Sequence, residues 1–266
     1  MKIYVIINYV LGFSYGIHRE LGDMTESMLS LDILNKVQLV LGNTSLSDAS
    51  IWSDTIKRKS GFTHTKKYHY VNINTCDISE NTISKSCKED NCVVYKILEF
   101  VNNFKTHDTS TWTQKENLMM IIHLIQDFFQ PLHVYGIYAG GNRFKLIRNK
   151  NKRNRTTTLH KIYDNEIPSY FLDHNSDYYP KIRNLTFDNM VDVERSILEQ
   201  TIDTVNTACS TGIYDRIHGS RYIIFEHYYD GKTVEYFFNG YFTMINAVME
   251  FLFKPLPVSL NPLLMI

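Results

Sequence analysis

Two histidine–aspartate pairs with a four-residue spacing restrict the fold of this chain more than any other feature. His123 and Asp127 lie in Ile-His-Leu-Ile-Gln-Asp-Phe-Phe, and His160 and Asp164 lie in Leu-His-Lys-Ile-Tyr-Asp. Residues four apart share one face of an α-helix, so each pair can present two ligating groups to one metal ion. Surface helices carry such pairs for solubility, but both pairs here are set among apolar residues. Two interpretations remain open, a metal site and buried histidines that are each oriented by a carboxylate.

The composition is that of an ordinary globular protein. Of the 266 residues, 44% are hydrophobic and 21% are charged, which excludes wholesale disorder and a fibrous repeat. The 28 basic and 28 acidic side chains cancel, which excludes a uniformly basic, histone-like binder of nucleic acid. Local phosphate chemistry is compatible with zero net charge, because bound metal ions would add positive charge.

Helical periodicity dominates the sequence, and no internal repeat is present. Apolar residues recur at helical spacing in 18–41, 93–104, 113–128, 187–207 and 233–253. A further helix is predicted to be capped by Ser47-Asp48 and to run through Trp52 towards Lys57. The sequence therefore predicts an all-α protein, a single mostly helical domain.

The remaining segments predict one hairpin and one loop. Residues 143–147 alternate like a strand and meet residues 156–159 across a polar turn at 149–155, which favours a small β-hairpin. The polar segment 74–91 holds Cys76 and Cys87, with Cys92 directly after it, and is predicted to be a disulfide-bonded loop. Tyr68-His69 lies in a short strand-like run.

The first 12 residues have the pattern of a secretory signal peptide. Lys2 precedes a short apolar run that ends at Gly12, and this run is too short to span a bilayer. The alternative is a buried N-terminal strand or helix. We expect a signal peptide at 1–12 and a mature domain at 13–266 that begins with Phe13. Elsewhere no stretch reaches about 18 uninterrupted apolar residues, so no membrane span is predicted.

The cysteines and three glycosylation triplets fit a secreted chain. Four cysteines favour two disulfides, and the three possible connectivities cannot be separated by sequence alone. The cysteines are Cys76, Cys87, Cys92 and Cys209. The Asn-x-Ser/Thr triplets begin at Asn43, Asn154 and Asn184. Such triplets also occur by chance, so they add little weight.

Four further side chains could join the two pairs at a metal site. Asp54 lies at the end of an apolar helix, and His69 lies in the strand-like run. His133 follows Pro131, which is predicted to end the helix of the first pair. His18 lies five residues after the proposed mature N-terminus. Imidazole and carboxylate together suit Zn²⁺, and eight such ligands would serve a cluster of two or three zinc ions.

These residues, in this order, resemble the secreted zinc-dependent single-strand nucleases of the fungal S1/P1 type. That family shares its fold with bacterial zinc phospholipase C. The most specific match is Gln130-Pro-Leu-His133 followed by Gly140-Gly-Asn142. The other matches are His18, Trp52-Ser-Asp54, Tyr68-His69-Tyr-Val, His123-x3-Asp127 and Leu159-His160-x3-Asp164. The resemblance implies the phospholipase C/nuclease fold with the disulfides Cys87–Cys92 and Cys76–Cys209.

The resemblance also implies three zinc ions. The first would be held by Asp54, His69, His123 and Asp127. The second would be held by His133, His160 and Asp164. The third would take His18, a bridging Asp127, and the amino group and carbonyl of Phe13 after signal cleavage. Tyr15-Gly16 is an alternative mature start, because the family's chains usually begin with Trp-Gly.

The implied activity is hydrolysis of phosphodiester bonds in single-stranded RNA and DNA, with 5′-phosphate products and a possible action on 3′-mononucleotides. Asp54 and Asp127 would be the catalytic carboxylates, as metal ligands. The substrate contacts would come from Lys57, Tyr70, Asn72 and Asn142, with Tyr70 stacking on a base. We expect a monomer that is secreted or held in the endolysosomal pathway.

Two alternatives to the nuclease remain open. A zinc-dependent phospholipase C would use the same metal set on a lipid phosphodiester. A secreted helical binding protein would keep the fold without turnover. The survival of all eight side-chain ligands favours an enzyme.

Overall fold

The computed structural model describes residues 13–150, 153–214 and 230–255, except the side chains of 148–150 and 153–155. The proposed signal peptide at 1–12 lies outside the described residues. The helices are α1 (Tyr15–Met28), α2 (Leu31–Leu41), α3 (Leu46–Ile56), α4 (Glu80–Ser86), α5 (Val93–Thr106), α6 (Gln114–Phe128), α7 (Pro131–Val134), α8 (Ile137–Gly140), α9 (Leu159–Lys161), α10 (Ile167–His174), α11 (Met190–Ser210) and α12 (Gly231–Phe253). The 3-10 helices Thr63–His69 and Lys88–Asp90 and the π-helix Ile162–Glu166 lie between them. The strands β1 (Lys145–Lys150) and β2 (Arg153–Thr158) form an antiparallel hairpin. The predicted all-α class with one small hairpin is confirmed.

Side-chain caps fix where the main helices begin. Ser14, Ser30 and Ser45 each accept a hydrogen bond from the backbone N–H three residues further on, at the starts of α1, α2 and α3. Thr113 and Glu116 form a capping box at the start of α6. Each cap satisfies an N–H group that the first turn of a helix leaves unpaired.

Helix α6 lies at the centre of the fold. Residues 117–128 are all buried, and the helix packs against α1, α2, α3, α5 and α12. A helix that is buried on every side needs a partner for each polar side chain it carries. His123, Gln126 and Asp127 on α6 have no exposed surface, so their partners must lie within the core.

Several local predictions were wrong at the ends of helices. Residues 18–41 form two helices, because Leu29 is extended and Ser30 caps α2. Ser45, two residues before the predicted Ser47-Asp48, caps α3. Pro131 begins α7 instead of ending α6, which has already ended at Phe128; the first turn of a helix tolerates proline.

The short segments also differ from their predictions. The 74–91 loop contains α4 and a 3-10 helix, since Ser79 provides a side-chain cap for α4. Tyr68-His69 ends the 3-10 helix Thr63–His69 and is not strand-like. The hairpin strands extend through most of the predicted turn, with Asn149 opposite Asn154. Backbone pairing does not require apolar side chains, so the pattern of hydrophobic alternation underestimated the length of the strands.

Two disulfides fix the segments around α4, and both pairings implied by the resemblance are present. Cys76–Cys209 joins the segment before α4 to the end of α11 across a sequence separation of 133 residues. Cys87–Cys92 closes the short connection between α4 and α5.

The helix lengths and hydropathies bear on the membrane prediction. Helix α12 has 23 residues and is the longest described, but Asn246 and Glu250 interrupt its apolar surface. Among the described residues, no helix is both long and apolar enough to cross a bilayer.

Candidate metal centre

The structure brings all eight predicted ligand side chains together, although they come from seven different elements. They are His18 on α1, Asp54 on α3, His69 at the end of a 3-10 helix, His123 and Asp127 on α6, His133 on α7, His160 on α9 and Asp164 on the π-helix. Each is at most 6% exposed. Within each of three groups, the ligand atoms lie within 4.8 Å of one another: His18/His123/Asp127, Asp54/His69/His123 and His133/His160/Asp164.

Asp127 lies at the junction of these groups. Its Oδ2 atom is 2.7 Å from His69 Nδ1 and 3.0 Å from His123 Nε2. Its Oδ1 atom is 3.3 Å from His133 Nδ1 and 3.5 Å from His18 Nε2. One carboxylate therefore faces four imidazoles, as a bridging ligand would.

The His133/His160/Asp164 group has a similar arrangement. The two imidazole rings stack with a centroid distance of 5.2 Å and an interplanar angle of 9°. Asp164 Oδ1 is 3.8 Å from His133 Nε2, and Asp164 Oδ2 is 3.3 Å from His160 Nε2. Gln130 Nε2 donates a 2.6 Å hydrogen bond to Asp164 Oδ1 and so orients the carboxylate.

The residues present fit bound cations. Asp127 Oδ1, Asp54 Oδ2, His18 Nε2 and His133 Nδ1 are buried and have no hydrogen-bond partner among the described residues. Buried polar atoms are usually paired, because an unpaired one costs free energy. Carboxylate oxygens and imidazole nitrogens that converge without a donor between them can share a cation instead. This donor set is the one that Zn²⁺ prefers.

The protonation of the carboxylates divides the centre into two parts. Burial raises the pKa of Asp127, but the neighbouring His123 and His133 imidazoles outweigh it and hold the pKa well below its ordinary value. Burial likewise raises the pKa of Asp54, but His123 and Lys57 lower it by more, so the net shift is downward. Burial raises the pKa of Asp164 well above its ordinary value. Two carboxylates are thus ionised in the protein alone, and a cation would favour ionisation of the third.

Burial favours the neutral form of three ligand histidines, whereas the Asp127 carboxylate outweighs burial at His123 and raises its pKa. Burial and the neighbouring Lys57 charge together lower the pKa of His69 to about 3. Burial and the neighbouring His133 lower the pKa of His160 to about 3. Burial also lowers the pKa of His133. Neutral imidazoles carry the lone pair that a metal ligand needs.

A left-handed turn positions His160. Tyr138, Ala139, Gly140 and Gly141 all have positive φ, between 52° and 77°. This conformation is unfavourable for the two residues that have a side chain. The turn directs the Gly140 carbonyl towards His160, whose Nδ1 lies 2.6 Å from it. If Nδ1 donates this bond, Nε2 keeps its lone pair facing Asp164.

The four predicted substrate contacts lie at different depths. Lys57 ends α3, is 8% exposed and forms an ion pair with Asp54. Tyr70 follows His69 and is 40% exposed, so it is not a core aromatic. Asn72 is exposed. Asn142 is half-buried and donates a 3.0 Å hydrogen bond to the Ala139 carbonyl.

The segment that begins at Phe13 lies beside the centre. Phe13 is 5% exposed, and its ring packs edge-on against His18 with a centroid distance of 5.9 Å. The Ser14 N–H donates a 2.9 Å hydrogen bond to the Asp164 carbonyl. The backbone at residues 13 and 14 is therefore held close to the ligand groups.

Two of the three predicted glycosylation sites are exposed. Asn43 and Asn184 are exposed, and Asn154 is on β2, with its side chain outside the described atoms. Asn184 lines a groove of about 540 Å³ that contains none of the eight ligands.

Two residues near the centre were not assigned a role from the sequence. Gln130 was noted only as part of a motif. Its Oε1 atom accepts a hydrogen bond from the Leu132 N–H and its Nε2 atom donates to Asp164, and the second contact has no local sequence signal. Tyr138 is 53% exposed in the left-handed turn. No sequence signal marks an aromatic residue for positive φ, so Tyr138 could not have been found in advance.

Comparison with known proteins identifies the family. The family model described as S1/P1 Nuclease matches residues 15–239. Nuclease S1 of Aspergillus oryzae is 24% identical over 159 residues, which make up 57% of this chain and 53% of that protein. Endonuclease 2 of Arabidopsis thaliana is 28% identical over 133 residues, 46% and 43% of the two chains. Nuclease P1 of Penicillium citrinum is 21% identical over 137 residues, 48% and 50%. The chain spans about half the length of the curated relatives it matches. Because the family model covers most of the chain, the protein belongs to the S1/P1 nuclease family.

Proposed function

We propose that this protein is a zinc-dependent endonuclease that hydrolyses phosphodiester bonds in single-stranded RNA and DNA. It leaves 5′-phosphate ends and also dephosphorylates 3′-mononucleotides. The observation that carries the proposal is that eight buried ligand side chains, Asp127 among them, converge on one centre. Several of their carboxylate oxygens and imidazole nitrogens have no hydrogen-bond partner among the described residues. The printed names of the three relatives, two nucleases and an endonuclease, support the same substrate class.

Zinc at this centre would supply a water with a pKa of about 7 and would polarise a phosphoryl oxygen. Three ions would be held by the ligand sets that the resemblance implies, and Asp127 would be shared between the first set, with Asp54, His69 and His123, and the third, with His18. The side chains of this protein have separate tasks. Asp54 and Asp127 are ionised and would bind the metal ions. The Lys57 amine beside Asp54 adds a positive charge that attracts a phosphate.

Tyr70 favours single strands over duplexes. Its ring is exposed next to ligand His69, and the neighbouring Val71 N–H donates a 2.7 Å hydrogen bond to the carbonyl of His133. The backbone on both sides of Tyr70 is therefore held beside two of the proposed ligands, His69 and His133. A base can stack on it only after leaving a duplex stack, and stacking contributes about 1–3 kcal/mol for any base. Asn72 and Asn142 would bind base edges.

The protein is proposed to act outside the cell or in the endolysosomal pathway, as a monomer. Residues 1–12 would be removed, and the amino group and carbonyl of Phe13 would complete the His18 site. The burial of Phe13 against His18 and the bond from Ser14 to Asp164 support a start at Phe13 more than a start at Tyr15.

The test is cleavage of 5′-labelled and 3′-labelled single-stranded RNA and DNA by the chain that begins at Phe13. Cleavage should require zinc, should stop with a chelator and should give 5′-phosphate ends. Choline-type phospholipids in the same assay test the lipid alternative. Cleavage of the lipid alone would transfer the proposal to a phospholipase C, and no turnover of either substrate by zinc-loaded protein would indicate a binding role.

Tyr70→Ala should raise KM for single-stranded oligonucleotides about 5–100-fold, the equivalent of the stacking free energy, with a smaller change in kcat. Bis(p-nitrophenyl) phosphate, which has no base, should be cleaved at the wild-type rate. Tyr179→Ala, which removes a 71% exposed ring outside the ligand groups, is the matched control. An unchanged KM for oligonucleotides would remove Tyr70 from substrate binding.

A further inference from the structure

Gln126 is a fully buried carboxamide in contact with one of the proposed zinc ligands. Its Oε1 atom lies 2.5 Å from His18 Nδ1. Its Nε2 atom donates to Ser50 Oγ at 2.9 Å and to Tyr241 Oη at 3.2 Å. A carboxamide has two N–H donors and one acceptor oxygen. The direction of these three contacts decides which nitrogen of His18 carries the proton.

The contact with Ser50 has a fixed direction. The Ser50 hydroxyl donates to the Leu46 carbonyl at 2.8 Å, one turn earlier on α3. A hydroxyl has one proton, so Ser50 Oγ can only accept from Gln126. The backbone carbonyl thus sets the direction of the next bond.

The contact with Tyr241 is fixed in the same way. The Thr25 hydroxyl donates to the Leu21 carbonyl at 2.7 Å, so Thr25 Oγ1 must accept in its 2.7 Å contact with Tyr241 Oη. The proton of Tyr241 is therefore used, and Tyr241 Oη accepts from Gln126. Reversing the Gln126 amide would place its oxygen against two groups that have no proton left to give.

We propose that Gln126 is a positioning residue that fixes the tautomer of His18. Both of its N–H groups are used, so Oε1 accepts from Nδ1–H of His18. The Nε2 atom of His18 then carries a lone pair, 3.5 Å from Asp127 Oδ1. This proposal rests on the proposed zinc centre only for its consequence, which is that His18 binds metal through Nε2.

At two further proposed ligands, His123 and His160, a backbone carbonyl lies where it can hold the proton on Nδ1. His123 Nδ1 lies 2.5 Å from the Ser50 carbonyl, and His160 Nδ1 lies 2.6 Å from the Gly140 carbonyl. His18 receives an acceptor from Gln126 instead, anchored by residues of α1, α3 and α12. A hydrogen bond on the far nitrogen of a ligating histidine typically changes metal affinity 10–100-fold when it is removed.

The test uses three variants. Gln126→Leu removes the acceptor, and Tyr241→Phe removes a single oxygen that holds Gln126 in place. Thr201→Val is the control, because this buried hydroxyl on α11 bonds only within its own helix, to the Ile197 carbonyl at 2.7 Å. Circular dichroism confirms that each variant is folded.

Zinc titration of the chain that begins at Phe13 should show one of three sites weakened 10–100-fold in Gln126→Leu, weakened less in Tyr241→Phe and unchanged in Thr201→Val. Long-range ¹H–¹⁵N spectra of the imidazoles should place the His18 proton on Nδ1 in the wild-type protein, with or without zinc. A proton on Nε2, or equal zinc affinities in Gln126→Leu and Thr201→Val, overturns the proposal. Because the tautomer is read without zinc, failure of the proposed function leaves it testable.

Discussion

At the scale of single residues, position 140 beside the metal centre accepts no residue larger than glycine without a change in the backbone. Its φ is +58°, and a Cβ atom there would lie 2.3 Å from the Leu132 carbonyl oxygen. Its own carbonyl is the partner of His160 Nδ1. A side chain would push the turn away from Leu132 and would move the carbonyl that orients His160.

Gly140→Ala should therefore lower both stability and metal content, whereas Gly61→Ala should lower only stability. Gly61 also has a positive φ, +87°, but a Cβ there would meet nothing within 4 Å. The positive φ costs about 1–3 kcal/mol in each variant, and the overlap in Gly140→Ala adds about 1–3 kcal/mol. Urea unfolding should show the larger loss of unfolding free energy in Gly140→Ala, and zinc content should show weaker binding at the His133/His160/Asp164 group in that variant. Equal unfolding free energies with full zinc in both variants would contradict this account.

At the scale of elements, the close contact of α1 with α3 brings His18 to the ligands on α6. Gly22 makes the contact possible, because a Cβ there would lie 2.6 Å from Ser50 Oγ and 2.8 Å from the Leu46 carbonyl oxygen. Backbone atoms cannot give way as the end of a flexible side chain can. A larger residue at 22 would separate the two helices.

Gly22→Ala should lower the melting temperature and weaken the zinc site that contains His18. Gly16→Ala on the same helix is the control, since its Cβ would come no closer than 3.8 Å to another atom, Ser14 Oγ. Alanine favours helix over glycine by up to about 1 kcal/mol, so Gly16→Ala should leave stability unchanged or raise it. A Gly22→Ala variant as stable as Gly16→Ala would show that the helices have room to separate.

The sequence predicted the long helices because their apolar periodicity and caps are local. It predicted the ligands because a metal site needs particular residue types at particular spacings, whereas a surface helix does not. The short elements were missed, since the 7 residues of α4 are too few to show an apolar period and no sequence signal marks the left-handed turn. The partners of Gln126 were also beyond prediction, because His18, Ser50 and Tyr241 are 108, 76 and 115 residues away in the chain.

At the scale of the whole molecule, the two disulfides restrict very different lengths of the unfolded chain. Cys76–Cys209 closes a separation of 133 residues, and Cys87–Cys92 closes one of five. In the chain-entropy account the long loop stabilises the fold by about 5 kcal/mol and the short loop by about 2 kcal/mol. The long disulfide also holds the segment after the Tyr70–Asn72 stretch against α11.

Replacing Cys76 and Cys209 with serine should therefore lower the free energy of unfolding more than replacing Cys87 and Cys92. Urea unfolding of the two double variants, each compared with the wild-type protein, measures the difference. A loss in the short-loop variant that equals or exceeds the loss in the long-loop variant would mean that native contacts, and not loop closure, govern the stabilisation.

The central claim is that eight buried ligands form one zinc centre joined at Asp127. The most direct measurement is zinc content and single-strand cleavage on the same samples of wild-type protein, Asp127→Ala and His160→Ala, with folding checked by circular dichroism. We expect three zinc ions in the wild-type protein, one fewer in His160→Ala, and a loss of more than one with no cleavage in Asp127→Ala. A folded Asp127→Ala variant that keeps all its zinc, or that still cleaves single strands, would contradict the account.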